Sequence, residues 1–350
     1  MLFNLELDNK SLLLRSNIAW LFALEEFFDE ILVVSTRVGE IPFGLKKTTV
    51  LETGGGNIWR RIKAILKLTK LLPSIYRNRR STFIFHHMNH RTAIYPGIVA
   101  RAFGVKQALW FSHEHKPASL CFATFFVNRV FSPSIQSFPL NTRKLVAVGQ
   151  AIDTSKFPWN RKLESYRRVN EVVTIGRVSR SKHLTQAFEI FGNAQNTIEN
   201  KVIYFIGPTQ DLVYKREIEG RSGVLGIRIE FLGPVDSSDI ASSLNDFCFY
   251  FSGTTKGVDR ALIEAGVSGC LILSTNLGAM RLVGMSKFWL QNLGKEVPSL
   301  DVQYVVLRSL SCEQRQELGK YVRKFTISNN DVKSTVNKIV KEMNNLNSSK

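Results

Sequence analysis

Glu171-Val172-Val173-Thr174-Ile175-Gly176-Arg177-Val178-Ser179-Arg180-Ser181-Lys182 opens on a short β-branched run that stops at a glycine and continues into a basic, serine-rich turn. A run of four or five such residues ended by glycine reads as a buried strand, and Gly176 lets the backbone turn sharply at its end. The same rhythm recurs downstream, with strands expected at Val202 to Ile206, Arg228 to Leu232, Phe247 to Phe251 and Leu271 to Ser274, and longer segments of helical period between them. Strands alternating with helices mark βαβ units and a parallel sheet.

The first half carries the same pattern. Strands are expected at Glu30 to Ser35, Thr48 to Glu52, Thr82 to His86, Gln107 to Phe111, Arg129 to Ser132 and Lys144 to Val148, with helices over Ser16 to Phe28 and Ile58 to Leu72. A chain of 350 residues is about twice the usual single-domain length, so two α/β doubly wound, Rossmann-like domains facing a cleft are expected. The first spans 1–160, a polar basic linker 161–170, and the second 171–328. A last helix over 329–350, capped by Asn330 and Asp331, carries a stripe of Val332, Val336, Ile339, Val340 and Met343 and is expected to cross back to the first domain.

Hydrophobic residues at 44% and charged residues at 22% fit a folded protein rather than a disordered one. The formal net charge of +18 points to an anionic partner: nucleic acid, a membrane surface or a phosphorylated small molecule. No stacked-aromatic sheet motif or zinc-finger spacing supports the nucleic-acid rival, and no nucleic acid is expected as partner. The four cysteines show no C-x-x-C pair, and the six histidines lack the carboxylates and helical spacing of a zinc set, so no metal and no disulfide framework are expected. No leader is legible in Met1 to Leu7, and the longest apolar run, roughly Leu120 to Val127, falls short of the about 20 residues that span a bilayer. A cytoplasmic protein, peripheral at the inner face of a membrane, is expected.

A dinucleotide would call for G-x-G-x-x-G after a strand, and a nucleotide held by a P-loop for its own signature; neither is present, and Gly54-Gly55-Gly56 reads as a loop. Chemistry is carried instead by two strand-to-helix junctions. At the first, Arg177 and Lys182 place a planar fork and a point charge where a diphosphate can be gripped. At the second, Thr254-Thr255-Lys256-Gly257-Val258-Asp259-Arg260-Ala261-Leu262-Ile263-Glu264-Ala265 sets Glu264 in the opening turns of a helix, where a carboxylate can accept hydrogen bonds from vicinal ribose hydroxyls. The alternatives are solvated surface cations and a glutamate complementing the helix dipole.

Taken in order, Gly176-Arg177 with Lys182, Ile206-Gly207-Pro208, Phe231-Leu232-Gly233-Pro234-Val235 and Gly257-Val258-Asp259-Arg260 to Glu264-Ala265 resemble the retaining glycosyltransferases of family four, over nearly all of the second domain. Phe83-Ile84-Phe85-His86-His87-Met88-Asn89, Trp110-Phe111-Ser112-His113 and Val148-Gly149-Gln150-Ala151-Ile152-Asp153 resemble the bacterial branch that builds surface polysaccharides and lipid-linked oligosaccharides. The resemblance implies a GT-B fold, a UDP- or GDP-sugar donor, no cofactor, and transfer with retention and without an obligatory metal. It implies that Arg177 and Lys182 hold the donor diphosphate and Glu264 the ribose, that Gly176, Gly207, Pro234, Val235, Lys256, Gly257 and Asp259 line the donor, and that His113 lies near the sugar. His87 and Asn89 fall on the acceptor side, while His86 is expected to be packed and satisfied. Rival readings within the fold are an epimerase, a phosphorylase or an inactive relative.

The chain departs from the family pattern in three places. Lys256 stands where the first glutamate of the paired-glutamate motif is usual, with Asp259 or the Gly257 backbone as substitutes; Gln150 and Ala151 replace the residues of the usual Gly-His-Gly-Ile-Asp segment; and Met1 to Ser16 contains no glycine. The basic helix from 58 to 72, with Trp59, Arg60, Arg61, Lys63, Lys67 and Lys70, is expected to rest against anionic headgroups at roughly 1 kcal/mol per basic residue near the surface.

Overall fold

The computed structural model describes residues 1–8, 16–54, 58–113, 115–192, 199–255 and 257–348. The chain divides into two compact units: Met1–Asp153 with Val332–Lys350, and Thr154–Asp331.

Unit 1 is built on a seven-stranded parallel sheet. Its strands are β1 (Leu2–Leu7), β2 (Ile31–Val38), β3 (Thr48–Glu52), β4 (Phe83–His87), β5 (Lys106–Trp110), β6 (Arg129–Ser132) and β7 (Leu145–Ala147), in spatial order β3-β2-β1-β4-β5-β6-β7. Its helices are α1 (Ser16–Glu25), α2 (Ile58–Arg77), α3 (Tyr95–Ala102) and α4 (Ala118–Phe126), followed at the chain's end by the helix Val332–Ser348. β1 was not expected from the sequence, yet it is central, pairing with β2 and β4. Its polar Asn4 and Glu6 mask a strand whose Leu2, Phe3 and Leu7 are buried.

Alternation along the strands sorts the core into two faces. Leu2, Val33, Phe85, Trp110 and Phe131 pack with α1 and with Val336, Ile339 and Met343 of the last helix. Phe3, Val34 and Ile84 face Leu68 and Ile75 of α2 and Ala100 of α3, while Leu109 and Val130 face Leu120 and Ala123 of α4. The last helix thus owes its place in unit 1 to its apolar stripe. Its first amide donates to Ile152 O (2.9 Å), and Arg129 pairs with Glu342 (3.5 Å).

Unit 2 holds a five-stranded parallel sheet, ordered β10-β9-β8-β11-β12, from β8 (Glu171–Ile175), β9 (Val202–Ile206), β10 (Arg228–Gly233), β11 (Phe249–Ser252) and β12 (Leu271–Ser274). Its helices are α5 (Leu212–Leu225), α6 (Ile240–Asn245), α7 (Arg260–Val267), α8 (Leu277–Leu282), α9 (Met285–Leu293), α10 (Leu300–Ser309) and α11 (Cys312–Asn330); the last helix of the chain is α12. Asn330, expected to cap α12, is instead the final residue of α11, its amide donating to Leu282 O and Thr326 O, both at 3.0 Å.

The stretch 161–170, expected as a linker, is packed structure within unit 2. The buried Arg161 guanidinium donates to the carbonyls of Ser268 (3.0 Å), Leu244 (2.6 Å) and Phe247 and to Cys270 Sγ (2.9 Å), and the buried Tyr166 hydroxyl donates to Gly269 O (2.9 Å). Polar composition misled the reading because this arginine is satisfied by hydrogen bonds to backbone oxygens, which no charge pattern reveals.

Candidate functional site

In unit 2, four neighbouring strands each end on a glycine at the carboxyl edge of the sheet. Gly176 follows β8 at φ +149°, Gly207 follows β9 at φ +142°, Gly233 ends β10 at φ +73°, and Gly253 follows β11. The first three hold backbone that side chains rarely adopt. Crowding also demands glycine: a Cβ at 207 would lie 2.1 Å from Gly176 O, and one at 253 would lie 2.6 Å from Lys182 O. The turn after β8 therefore lies directly across the end of β11. His183 in that turn takes the left-handed conformation, φ +48°.

That turn aims Lys182. Its amide donates to Ser179 O (3.0 Å), its Nζ donates to Asp259 Oδ2 (2.8 Å), and its stem lies against Gly176, where a Cβ would stand 3.3 Å from Cε. Asp259 is also the N-cap of α7, its Oδ1 accepting from the Ala261 amide at 3.3 Å. Five residues on, Glu264 is buried, 7% exposed, and its Oε1 accepts from Arg260 Nε at 2.8 Å. Burial raises the Glu264 carboxyl above the ordinary carboxylate range, an effect opposed by Arg260 and reinforced by Asp259. Glu264 is not in the first turn of α7, so its role is not that of a glutamate complementing the dipole there.

Lys182 is thus paired with the residue that caps α7, the helix on which Glu264 lies. Arg177 stands apart from them: it is exposed, and its NH1 reaches Gln210 Oε1 at 3.4 Å. Gly207 is half-buried, Pro234 exposed and Val235 half-buried beyond β9 and β10. Lys256 lies outside the described residues.

Sequence reasoning passed over the group that sets the loop before α7. The buried Asn276 side chain donates to Thr254 O (3.0 Å) and Gly257 O (2.6 Å) and accepts from the Ala279 amide (3.0 Å), so one amide caps α8 and fixes both ends of 254–257. Ser274 Oγ donates to Ser252 O (2.8 Å), and the buried Gln303 brackets Ser274 from both sides, accepting from its amide at 3.1 Å and donating to its carbonyl at 2.9 Å. An asparagine between a strand and a helix is an N-cap signal that would have drawn attention to Asn276.

In unit 1, His87 ends β4 and is enclosed by rings: Trp20 at 5.0 Å, Phe85 at 6.2 Å and Trp110 at 6.3 Å, the last stacked. Burial pulls its pKa down to about 4, so the ring is neutral. His87 is therefore a packed residue at the strand's end. Asn89 is half-buried, with its carbonyl accepting from Thr92 Oγ1 at 2.7 Å. His113 is exposed beyond β5 and packs edge-on against Phe111 (5.8 Å), whose ring also meets His90 (5.8 Å).

His86 is fully buried between Thr92 Oγ1 (2.9 Å from Nδ1) and Gln107 Oε1 (3.2 Å from Nε2). The Gln107 amide nitrogen donates to Gly97 O and Phe126 O, so its Oε1 requires a donor and assigns the proton to His86 Nε2. Burial holds this histidine down to about 4 as well. Ala151, in the segment that departs from the family pattern, holds φ +58°, a conformation that glycine adopts without cost.

No sequence family matches the chain, and no curated protein matches it. Solved structures do. HepE of Anabaena in complex with UDP is 16% identical, with a TM-score of 0.66 over 99% of this chain and 100% of its own. The chain has the GT-B fold. A glycosyltransferase from Rickettsia africae is 13% identical with a TM-score of 0.66, over 100% of this chain and 99% of its own. Sucrose-phosphate synthase from Thermosynechococcus elongatus is 11% identical with a TM-score of 0.67 over the same shares. Among the described residues, no helix is long and apolar enough to cross a membrane.

Proposed function

We propose that this chain is a retaining glycosyltransferase that moves a sugar from a UDP- or GDP-sugar to a hydroxyl of a polysaccharide or lipid-linked acceptor, without an obligatory metal. The observation that carries the reading is the pairing of Lys182 with Asp259, the cap of the helix that bears Glu264, at a sheet edge where four strands end on glycine. Lys182 supplies the charge that neutralises a departing diphosphate. Arg177, exposed beside Gln210 just after β8, adds a second cation for the same group. Glu264, stripped of water on one oxygen by Arg260, accepts from ribose hydroxyls through the other. The GT-B relative solved with UDP supports a nucleotide in this role.

In unit 1, the half-buried Asn89 and the exposed His113 offer donors and acceptors to the acceptor hydroxyl, while His87 packs the end of β4. The basic helix α2 meets the anionic surface that carries a lipid-linked acceptor, and its described outer residues Trp59, Leu66, Lys67 and Lys70 are exposed.

The test is titration calorimetry with UDP and GDP, followed by product analysis from a panel of nucleotide sugars. Micromolar binding of one diphosphate, lost in R177A/K182A, is expected, with an α- or β-linkage matching the donor. Unchanged turnover in that double variant defeats the mechanism, and tight oligonucleotide binding that survives E264A would instead favour the nucleic-acid reading.

A further inference from the structure

The charge of this chain is concentrated. Residues 53–150 contain fifteen lysines and arginines and a single carboxylate, Glu114. That segment supplies α2, α3 and α4, which pack in sequence on one face of the unit 1 sheet. Leu68 and Ile75 of α2 share a cluster with Ala100 of α3, Tyr76 meets Phe103 edge-on at 5.7 Å, and α4 covers the neighbouring cluster. Their inner sides are accounted for by the core, and the outer sides of α3 and α4 carry exposed apolar residues.

On α4, Leu120 and Ala123 point inward, while Phe122 and Phe125 are 63% and 64% exposed. On α3, Ile98 and Val99 are likewise exposed. Two exposed phenylalanines three residues apart on one helix, with exposed aliphatic side chains on the helix that precedes it in the layer, are apolar surface of a kind that soluble proteins rarely keep without a partner.

Cations frame the patch in fixed positions. Arg101 lies over the Phe125 ring (5.4 Å) and donates to Phe125 O (3.3 Å), while Lys144 Nζ donates to Thr124 O (2.8 Å) and Phe125 O (2.9 Å). Both therefore sit on the carboxyl end of α4, where unsatisfied carbonyls favour positive charge. Arg91 and Lys116 are exposed nearby in sequence.

We infer that the α3–α4 face is the apolar anchor by which this protein docks on an anionic lipid bilayer: Phe122 and Phe125 enter the headgroup region, and Arg101 and Lys144 meet its phosphates. Aromatic rings backed by cations match the chemistry of a bilayer interface, apolar below and negative above. This deepens the membrane contact proposed for α2, which supplies charge along the same layer but shares its apolar stripe with the core.

The experiment is flotation of the full chain with vesicles of phosphatidylcholine mixed with phosphatidylglycerol, and with phosphatidylcholine alone, while UDP binding and melting temperature are followed on the same preparations. Wild type is expected to float with the mixed vesicles only, and F122S/F125S to lose about tenfold of that binding with UDP affinity and melting temperature retained. F122W is expected to add a blue-shifted emission component on addition of mixed vesicles, which a surface that stays in water would not give. Equal flotation of F122S/F125S and wild type overturns the anchor, and loss in K67E/K70E alone would then leave the contact to α2. A wild type that stays in solution with both vesicles, or a Phe pair whose replacement only dissolves a dimer, overturns it also. Absence of UDP binding with flotation intact would sink the sugar-transfer reading and leave this surface standing.

Discussion

Lys182 Nζ lies 2.8 Å from Asp259 Oδ2, so the cation expected to meet a diphosphate is held by the residue that caps the helix carrying Glu264. An incoming diphosphate competes with Asp259 for Lys182. K182A is expected to weaken UDP binding by at least about tenfold, or about 1.4 kcal/mol. D259N keeps a side-chain oxygen for the Ala261 amide and frees the charge of Lys182. UDP binding is then expected to strengthen at low salt, with the gain fading as salt is raised, in calorimetric titrations. Weakening in D259N as severe as in K182A would show instead that the carboxylate is needed to aim the lysine.

The raised pKa of Glu264 predicts an acid limb for nucleotide binding. Ribose hydroxyls donate to the ionised carboxylate, so affinity is full above the raised pKa and falls as pH drops through it, at a higher pH than an exposed glutamate would give. E264Q binds more weakly at neutral pH and loses this limb. UDP affinities from pH 7 downward for the two proteins test it; parallel curves would assign the titration to another group.

Much of this arrangement was legible in the sequence, and what escaped had physical reasons. β9 and β12 occupy the residues expected for them because an unbroken apolar run flanked by breakers has few other readings. β1 escaped because Asn4 and Glu6 interrupt its apolar residues, although its neighbours on both sides bury it. Gly176 and Lys182 were legible as a strand end and its turn. The pairing of Lys182 with Asp259 spans 77 positions, and the brace formed by Asn276 joins two loops, and neither distance leaves a local pattern. The 161–170 stretch misled for the opposite reason, since a buried arginine satisfied by carbonyls looks like any solvated one.

The two buried histidines predict acid sensitivity in unit 1. Both are held near pKa 4 against an ordinary value of 6.5, so the neutral form is favoured in the fold. Their contribution is fully present above pH 6.5 and is lost as pH falls toward 4, by up to about 3 kcal/mol for each. Urea unfolding followed by tryptophan fluorescence should show stability dropping across that window, with a smaller drop in H87F, whose ring fits the same aromatic enclosure. A flat profile in wild type would mean that the histidines protonate without opening the fold.

Glycine substitutions separate backbone demand from simple tolerance. At Gly207 the φ of +142° and a Cβ only 2.1 Å from Gly176 O leave no room for alanine, because the obstructing atom is backbone of the adjoining strand end. G207A is expected to cost about 3 kcal/mol or more, within the range of strained or overpacked sites, and to weaken UDP binding by shifting the Gly176 turn. Gly220 presents the opposite case: it lies inside α5, and a Cβ there would meet nothing within 4 Å. Alanine at 220 removes the entropic penalty of glycine in a helix and should stabilise by about 0.5–1 kcal/mol. Melting temperatures of the two variants should move in opposite directions, by about 2–4 °C for each kcal/mol in a unit of this size. A G207A protein that melts with wild type and binds UDP normally would show that the edge of the sheet is not held by contact between the two glycines.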